Sequence, residues 1–280
     1  MTTMLPTPST SHVPYARVYE PAEDSFLLLD TLSSASETAF LAARFPSSSP
    51  PPSSSSPSSQ TLSGSDSRSA APLVLEVGPG SGVVLAFLTA HAQVLFSRRD
   101  ILTLGIDVNR FACAATSETV AKAPSSNRGV AGYHLGTAQG DLATAVRPGT
   151  VDVLVFNPPY VPTPELPPVQ PEGNQQHHHH HHHQQAATAP SDEEDSRLLA
   201  LSYAGGRDGM EVTDRLIEAL PEVLSPRGVA YLLLCAQNKP EEVKGRLRRL
   251  PGGPWRAETV GTSGRRAGWE KLQIVRIWRE

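Results

Sequence analysis

The sequence predicts an α/β domain in which helices flank a mostly parallel sheet. Short apolar runs alternate with helix-like stretches along the chain, and this alternation favours parallel strands joined by right-handed crossovers. A glycine-rich turn follows the first predicted strand, and a pair of prolines ends a later strand at Asn157. Ligands bind beyond the carboxyl ends of parallel strands, so we expect a binding site where these two features meet.

The elements follow from local patterns along the chain. Runs such as LVLEV and VDVLVF are short and apolar, which is typical of buried strands. In chain order we predict helix 22–43, strand 73–77, helix 83–90, strand 102–108, helix 110–122, a short strand around Tyr133, strand 151–156, helix 210–220, strand 228–235, helix 240–249, and terminal strands near 255–260 and 271–278.

The segment Asn157-Pro158-Pro159-Tyr160 is the most informative motif in the chain. Proline cannot donate to a strand ladder, so the preceding strand must end at Asn157. The Asn157 side chain and a free carbonyl would form an acceptor pocket for a planar NH2 group, with Tyr160 as a flat stacking face. An ordinary strand-ending turn is the alternative. The order of the four residues after a strand favours a catalytic role for all of them.

A second motif, Gly78-Pro-Gly80-Ser-Gly82, joins a predicted strand to a predicted helix. Glycine lets the backbone approach a ligand closely, and the helix start offers free N–H groups, as in nucleotide-binding turns. The glycine spacing differs from that of the dinucleotide fingerprint. Asp107 ends the next strand, where it can accept hydrogen bonds from ribose hydroxyls. A helix-capping role for Asp107 is compatible with that one.

These motifs resemble the class I S-adenosylmethionine-dependent methyltransferases that act on nitrogen. The string 18–30, VYEPAEDSFLLLD, and the segments AGGRDG and LSPRG narrow the likeness to the HemK-like glutamine methyltransferases of eukaryotic and archaeal release factors. The resemblance covers residues 14–45, 73–166 and 197–280. It implies a seven-stranded Rossmann-like sheet with a reversed last strand.

The resemblance also implies a cofactor, S-adenosylmethionine, and roles for individual residues. The implied cofactor-pocket residues are Asp24, Ser25, Glu76, Gly78, Gly80, Asp107, Asp141, Leu142 and Asn157. Asp141 and Leu142 could equally be a turn residue and a core residue. Segment 204–209 is either part of the substrate wall or a loop that caps the next helix.

Substrate and partner are also implied by the resemblance. The substrate would be a glutamine of a translation release factor, held by the Asn157 side-chain oxygen and the Pro158 carbonyl. The partner would be a small zinc-binding activator protein in a heterodimer. The sequence supports that partner only through apolar segments such as 101–106, which is a candidate edge strand. An ordinary buried strand is the alternative there.

Composition supports one domain over 14–280 that follows a disordered, polar tail of 13 residues. Two low-complexity inserts, 46–72 and 167–196, lack the apolar residues that a core needs. Without them roughly 220 residues remain, enough for one sizeable core. The run His177 to His183 lies in the second insert, and we interpret it as an expanded loop rather than a metal site or a tag.

Other features bear on location and chemistry. Cys113 and Cys235 are expected to be core residues, and no metal site is predicted. Neither a membrane-length apolar run nor a signal peptide is evident, so we expect a soluble protein of the cytoplasm, and the nucleus stays open as a second compartment.

Three rival functions remain open. A DNA or RNA N6-adenine methyltransferase would use the same acceptor pocket, and a protein lysine methyltransferase would need that pocket to admit a long amine. A non-catalytic scaffold would not need the intact motif at 157–160. The net charge of −4 and the lack of a spare domain argue against nucleic acid. A basic cluster keeps that option open: Arg246, Arg248, Arg249, Arg265 and Arg266.

Overall fold

The computed structural model describes residues 4–47, 70–123, 131–169, 192–264 and 271–280. The helices in these ranges are α1 (Glu23–Leu32), α2 (Ala35–Arg44), α3 (Val83–Ala90), α4 (Ala92–Phe96), α5 (Arg110–Lys122), α6 (Asp192–Tyr203), α7 (Glu211–Val223) and α8 (Pro240–Leu247). The strands are β1 (Leu73–Val77), β2 (Leu102–Asp107), β3 (Tyr133–Gln139), β4 (Val151–Phe156), β5 (Leu224–Cys235), β6 (Trp255–Thr262) and β7 (Leu272–Arg279). Short 3-10 turns cover Arg207–Gly209 and Ala236–Asn238.

The strands form one seven-stranded sheet in the order β3-β2-β1-β4-β5-β7-β6. Strands β1 to β5 pair in parallel, and β7 runs antiparallel to both of its neighbours. This arrangement confirms the predicted fold class, including a reversed last strand.

The register of the sheet aligns the strand ends that carry the motifs. Val77 of β1 lies opposite Ile106 of β2 on one side and Phe156 of β4 on the other. The next residue of each strand segment is therefore placed at the same edge of the sheet, which brings Asp107 and Asn157 to either side of the glycine turn. Strands β1, β2 and β4 therefore end at the same edge of the sheet, where the sequence analysis expected a binding site.

Helices cover both faces of the sheet and bury a core on each. Successive β4 side chains alternate between the two cores: Val153 and Val155 join the core on one face, and Leu154 and Phe156 join the core on the other. All six β4 residues are buried, as expected for a central parallel strand. Burial on both faces explains why this strand is a continuous apolar run.

The glycine turn can follow β1 so tightly because Gly82 has no side chain. Its φ of 79° is left-handed, and a Cβ built there would lie 2.5 Å from the Cα of Thr116 in α5. Gly82 therefore allows α3 and α5 to pack closely beside the turn.

Three local features differ from the sequence prediction. The single helix predicted over 22–43 is two helices, because Ser34 accepts a hydrogen bond from the Glu37 N–H and starts α2 as a new N-cap. Strand β5 begins at Leu224, four residues earlier than predicted. Helix α6 was not predicted at all. Its first five residues fall inside the second predicted insert, so the last part of that low-complexity segment is helical.

The parts of both inserts at 48–69 and 170–191, with the histidine run, lie outside the described residues. The prediction of a disordered tail is wrong for residues 4–13. Val13 is buried with Val18 against Ala112 and Ala115 of α5. Burial of apolar side chains therefore fixes the end of this segment on the domain.

The edge-strand prediction for residues 101–106 is also wrong. Strand β2 pairs with β1 on one side and β3 on the other, and Ile101 and Ile106 are buried. The true edge next to it is β3. Cys235 is buried, as predicted for a core position, whereas Cys113 is half-buried, and the two cysteines do not form a disulfide. In the described ranges, no helix is both long and apolar enough to cross a bilayer.

Candidate active site

A cavity opens at the carboxyl ends of β1, β2 and β4. The predicted residues that line it are Asp24, Ser25, Glu76, Gly78, Gly80, Asp107, Asp141, Leu142, Asn157 and Pro159. The sheet register brings these residues together, although they come from segments that are far apart in the sequence. Every predicted cofactor residue thus lies at the wall of one cavity.

Asp107 is a buried carboxylate held by backbone amides at this edge of the sheet. One oxygen accepts the Gly80 N–H at 3.1 Å, and the other accepts the Asn109 N–H at 2.8 Å. Burial raises the pKa of Asp107 to about 6, although the two amide hydrogen bonds act in the opposite direction. Asn109, rather than Asp107, caps α5 by accepting the Phe111 N–H.

Glu76 presents a second buried carboxyl to the cavity. Its Oε2 atom is buried and has no hydrogen-bond partner in the protein. Burial raises the pKa of Glu76 well above its ordinary value, and the charge of nearby Asp107 adds to the shift. Two buried carboxyls so close together need a cationic or hydrogen-bond-donating ligand to stabilise their charged forms.

Asn157 is oriented by Asp24, a residue that is far from it in the sequence. Its Nδ2 donates to Oδ2 of Asp24 at 2.9 Å, while the Ser25 N–H and hydroxyl hold the other Asp24 oxygen. The Asn157 amide group therefore cannot flip without losing that bond. Its Oδ1 atom is buried and has no partner, so it remains a free acceptor at the cavity wall.

The side chains of Pro158 and Tyr160 do not form part of the cavity wall. Pro158 is buried, and Tyr160 is half-buried and packs against the core that contains Val153 and Val155. Tyr160 is therefore not part of this cavity's wall, and its stacking role stays a prediction.

Asp141 and Leu142 stand at the rim of the cavity. The Asp141 carboxylate forms an ion pair with Arg215 of α7 and is half-buried. Leu142 adopts a left-handed φ of 52° and packs against the second core. Asp141 thus lies in a turn and Leu142 packs on the core, which were the alternatives to a cofactor role, and both residues also line the cavity.

Two segments of the cavity wall were missed by the sequence analysis. One is the N-terminal segment at Arg17 and Tyr19, and the other is α6 with the residues just before 170. An ion pair joins them, because Arg17 donates to Asp195 at 3.0 Å. No motif marks α6, since it directly follows a low-complexity tract. Among the described residues no cluster of His, Cys, Asp and Glu could hold a metal ion.

The residues present fit S-adenosylmethionine. The unpartnered Glu76 oxygen and the Asp107 carboxylate offer acceptors to a ligand that carries hydroxyl donors and positive charge. Gly78 and Gly80 both have positive φ and leave the backbone open to close approach. A seven-stranded sheet with one reversed strand and this cavity define a class I S-adenosylmethionine-dependent methyltransferase.

Comparison with known proteins gives the family. The chain is 35% identical to Methyltransferase HEMK2 of Mus musculus over 98% of this chain and 96% of that protein. It is 30% identical to the eRF1 methyltransferase catalytic subunit mtq2 of Schizosaccharomyces pombe over 99% and 96%. A Release factor glutamine methyltransferase of Bifidobacterium longum is 32% identical over 58% of this chain and 47% of its own length. No protein-family model matches the chain. The protein belongs to the HEMK2 family of methyltransferases.

Proposed function

We propose that this enzyme methylates the side-chain nitrogen of a glutamine in a translation release factor. Relatives named for an eRF1 methyltransferase subunit and for release factor glutamine methylation support this substrate. The observation that carries the proposal is the free, buried Oδ1 of Asn157, whose amide is fixed by Asp24.

The chemical difficulty lies in the acceptor. A carboxamide nitrogen is a poor nucleophile, because its lone pair is delocalised into the carbonyl group. Asn157 Oδ1 would accept one N–H of the glutamine, and the Pro158 carbonyl would accept the other. Two such bonds hold the nitrogen with its lone pair directed at the methyl group. Orientation of this kind is worth up to ~7–11 kcal/mol in favourable systems.

The cofactor residues would have separate tasks. S-adenosylmethionine supplies, when bound, a sulfonium methyl group for in-line attack. Asp107 would accept ribose hydroxyls, Glu76 would accept a donor of the cofactor, and the glycine turn would let the backbone approach it. Asp24 would act twice, as a wall of the cofactor pocket and as the group that holds Asn157.

A nucleic-acid acceptor differs from a protein acceptor in that it needs basic residues on the enzyme surface. The free Asn157 oxygen would also suit the exocyclic amine of adenine. Two of the five arginines in the basic cluster that kept this option open are engaged within the protein, since Arg246 pairs with Asp214 and Arg248 donates to the Ala257 carbonyl. Arg265 and Arg266 lie outside the described residues. A protein acceptor is therefore favoured over a nucleic acid.

We also propose a small zinc-binding activator protein as the partner subunit. The support within the chain is β3, which is the last strand of the sheet and pairs only with β2 among the described residues. Its Tyr133 and Leu135 are 64% and 57% exposed. An unpaired strand edge with exposed apolar side chains favours association with another chain.

The test of the acceptor site is Asn157→Ala. Single-turnover transfer from labelled S-adenosylmethionine to a release factor should fall by about a hundredfold, the scale of losing one transition-state hydrogen-bond partner. Cofactor affinity should change by less than about threefold, because Asn157 is proposed to contact mainly the acceptor. Wild-type transfer rates from Asn157→Ala would place the acceptor pocket elsewhere.

Two further arms complete the experiment. Asn157→Asp keeps an accepting oxygen but sets a second carboxyl against Asp24, so we expect activity between those of the wild type and Asn157→Ala. Oligonucleotides and histones serve as alternative acceptors for the wild-type enzyme. Faster transfer to either of them than to the release factor would overturn the proposed substrate.

A further inference from the structure

Asn238 lies just past the end of β5, and its buried side-chain amide contacts four backbone groups. Its side chain is 3% exposed. Oδ1 accepts the Cys235 N–H at 2.8 Å. Nδ2 faces three backbone carbonyls, those of Tyr160 at 3.1 Å, Asp208 at 3.0 Å and Gly209 at 3.4 Å. A flipped amide would set its oxygen against three oxygens, so the orientation is fixed.

These carbonyls belong to the two segments that matter for the acceptor. Tyr160 ends the Asn157–Tyr160 motif, and Asp208 and Gly209 belong to the glycine-rich segment 204–209 that the sequence marked as a substrate wall or a helix cap. One buried amide therefore joins the end of β5, the acceptor motif and the glycine-rich segment.

The glycine-rich segment lies directly on the acceptor motif. A Cβ on Gly209 would lie 2.0 Å from the Tyr160 carbonyl oxygen and 2.8 Å from Asn238 Nδ2. A Cβ on Gly205 would lie 2.3 Å from the Pro159 carbonyl oxygen. Such close backbone approach requires glycine at both positions.

Backbone hydrogen bonds continue the same contact beyond the motif. Val161 N–H donates to the Tyr203 carbonyl at 3.0 Å, and Gly205 N–H donates to the Val161 carbonyl at 2.8 Å. The motif is thus held by β4 at its beginning and by Asn238 with this short ladder at its end. The stiff proline pair between the two anchors transmits any shift of Tyr160 to Asn157.

We propose that Asn238 is a positioning residue for methyl transfer, which acts by holding the Tyr160 carbonyl and so fixes the direction of the Asn157 acceptor group. The inference rests on the proposed function. Asn238 does not line the cofactor cavity, so its effect would appear in the transfer rate and not in cofactor binding. Small errors in the position of a reacting group reduce the rate strongly.

The test is Asn238→Asp, which keeps an oxygen for the Cys235 N–H but replaces the donor with an acceptor that faces three carbonyls. We expect at least a tenfold lower transfer rate at saturating acceptor, with cofactor affinity within about twofold of the wild type. Gln237→Glu is the matched control, because it introduces the same charge at the exposed neighbouring residue and should change neither quantity. Asn238→Ser, which also lacks the NH2 donor, serves as the second variant if Asn238→Asp folds poorly.

A second readout does not depend on the substrate. Backbone amide hydrogen exchange should become faster at 161–163 and 203–209 in Asn238→Asp and should stay unchanged at 76–82 and 105–109. An unchanged transfer rate in a folded Asn238 variant would overturn the proposal, and so would a loss of cofactor affinity as large as the loss of rate. The wild-type enzyme could fail to methylate the release factor while hydrogen exchange in Asn238→Asp changes as expected. That result would refute the proposed substrate but would still support the contact by which Asn238 holds the Tyr160 carbonyl.

Discussion

At the scale of single residues, the site contains two carboxyl groups, Asp107 and Glu76, whose burial disfavours their charged forms. Asp107 is buried at a strand end and holds two backbone amides, yet burial still raises its pKa to about 6. Glu76 beside it has an unpartnered buried oxygen. Buried charges of this kind are stabilised when a ligand supplies the missing partner, so the strain of the free protein favours binding.

Cofactor affinity should therefore depend on pH through Asp107. Ribose hydroxyls donate much more strongly to the charged carboxylate than to its neutral form, so affinity should be constant above about pH 7 and fall by up to about tenfold near pH 5. Asp107→Asn should bind at least about tenfold more weakly at pH 7.5, since a charge-assisted hydrogen bond is worth ~1.5–3 kcal/mol. Calorimetric titration of both proteins between pH 5 and 8 measures this, and a flat wild-type profile would contradict it.

The free protein should show the opposite trend in stability. Because the folded-state pKa of Asp107, about 6, lies above the ordinary 3.8, the folded protein takes up a proton before the unfolded chain does. This residue therefore adds stability as the pH falls from about 6 towards 4. The contribution should be absent from Asp107→Asn, which thermal unfolding of the two proteins over that range would reveal.

At the scale of elements, α6 closes the cavity from a place that the sequence did not suggest. Arg197 of α6 donates to the carbonyls of Pro168 and Val169, and Asp195 pairs with Arg17 of the N-terminal segment. Arg197 is thus in direct contact with the residues that precede 170. Both sides of the second insert therefore contribute described residues to the cavity wall.

Replacing 170–191 with a Gly/Ser linker of about eight residues should leave the melting temperature and cofactor affinity nearly unchanged, because closure entropy varies slowly with loop length. Replacing 167–196 instead removes Pro167 and Val169 from the cavity wall, and it removes the ion pair between Asp195 and Arg17. That second variant should bind cofactor several-fold more weakly. Equal affinity in the two variants would show that this part of the wall is dispensable.

Helix α2 is attached to the sheet by a buried ion pair. Glu37, which is 1% exposed, accepts from Arg276 at 2.8 and 3.0 Å and from the Tyr231 hydroxyl at 2.8 Å. Burial and the adjacent Glu37 charge raise the pKa of Tyr231 well above its ordinary value, so this hydroxyl stays a donor. The arrangement fixes α2 against β5 and β7.

Glu37→Ala should lower the free energy of unfolding by about 3–5 kcal/mol, because it leaves Arg276 without its buried partner. The matched control is Glu280→Ala, which breaks an exposed pair with Arg256 and should cost less than about 1 kcal/mol. Urea unfolding of both variants gives the comparison. Equal, small losses would mean that the buried pair contributes no more than a surface one.

At the scale of the whole molecule, the described part of the chain leaves apolar side chains exposed on the edge strand β3. Strand β3 ends the sheet on the side of the cofactor site, and Gln139 at its end lies opposite Asp107. A partner bound along β3 would therefore contact a strand that borders the site. This places the proposed activator where it could affect cofactor binding as well as solubility.

Co-expression with the zinc-binding activator should raise the soluble yield, and Leu135→Asp should abolish that effect. A charge on the exposed face of β3 cannot be buried without a partner charge, so complex formation should fail. Val94→Asp is the control, since Val94 is also exposed but lies in α4. Size-exclusion chromatography of the co-expressed proteins measures the complex, and an intact complex with Leu135→Asp would exclude this edge.

The sequence by itself determined the strands, the glycine turn and the acceptor motif, because each depends on neighbouring residues. Alternation, proline chemistry and glycine conformations are local properties, and they also predicted that Asp107 and Asn157 would meet at one edge of a parallel sheet. The resemblance to a family supplied the cofactor and the reversed last strand. None of this required knowledge of which strand lies beside which.

Only the tertiary structure decided the contacts between distant segments. The bond between Asn157 and Asp24 joins residues 133 positions apart, and Asn238 reaches Tyr160 across 78 positions. Strand order among the described residues put β3, and not β2, at one end of the sheet. Periodicity gives the face that a residue occupies but not its neighbour across the fold, so these pairings depend on how the helices and strands pack together.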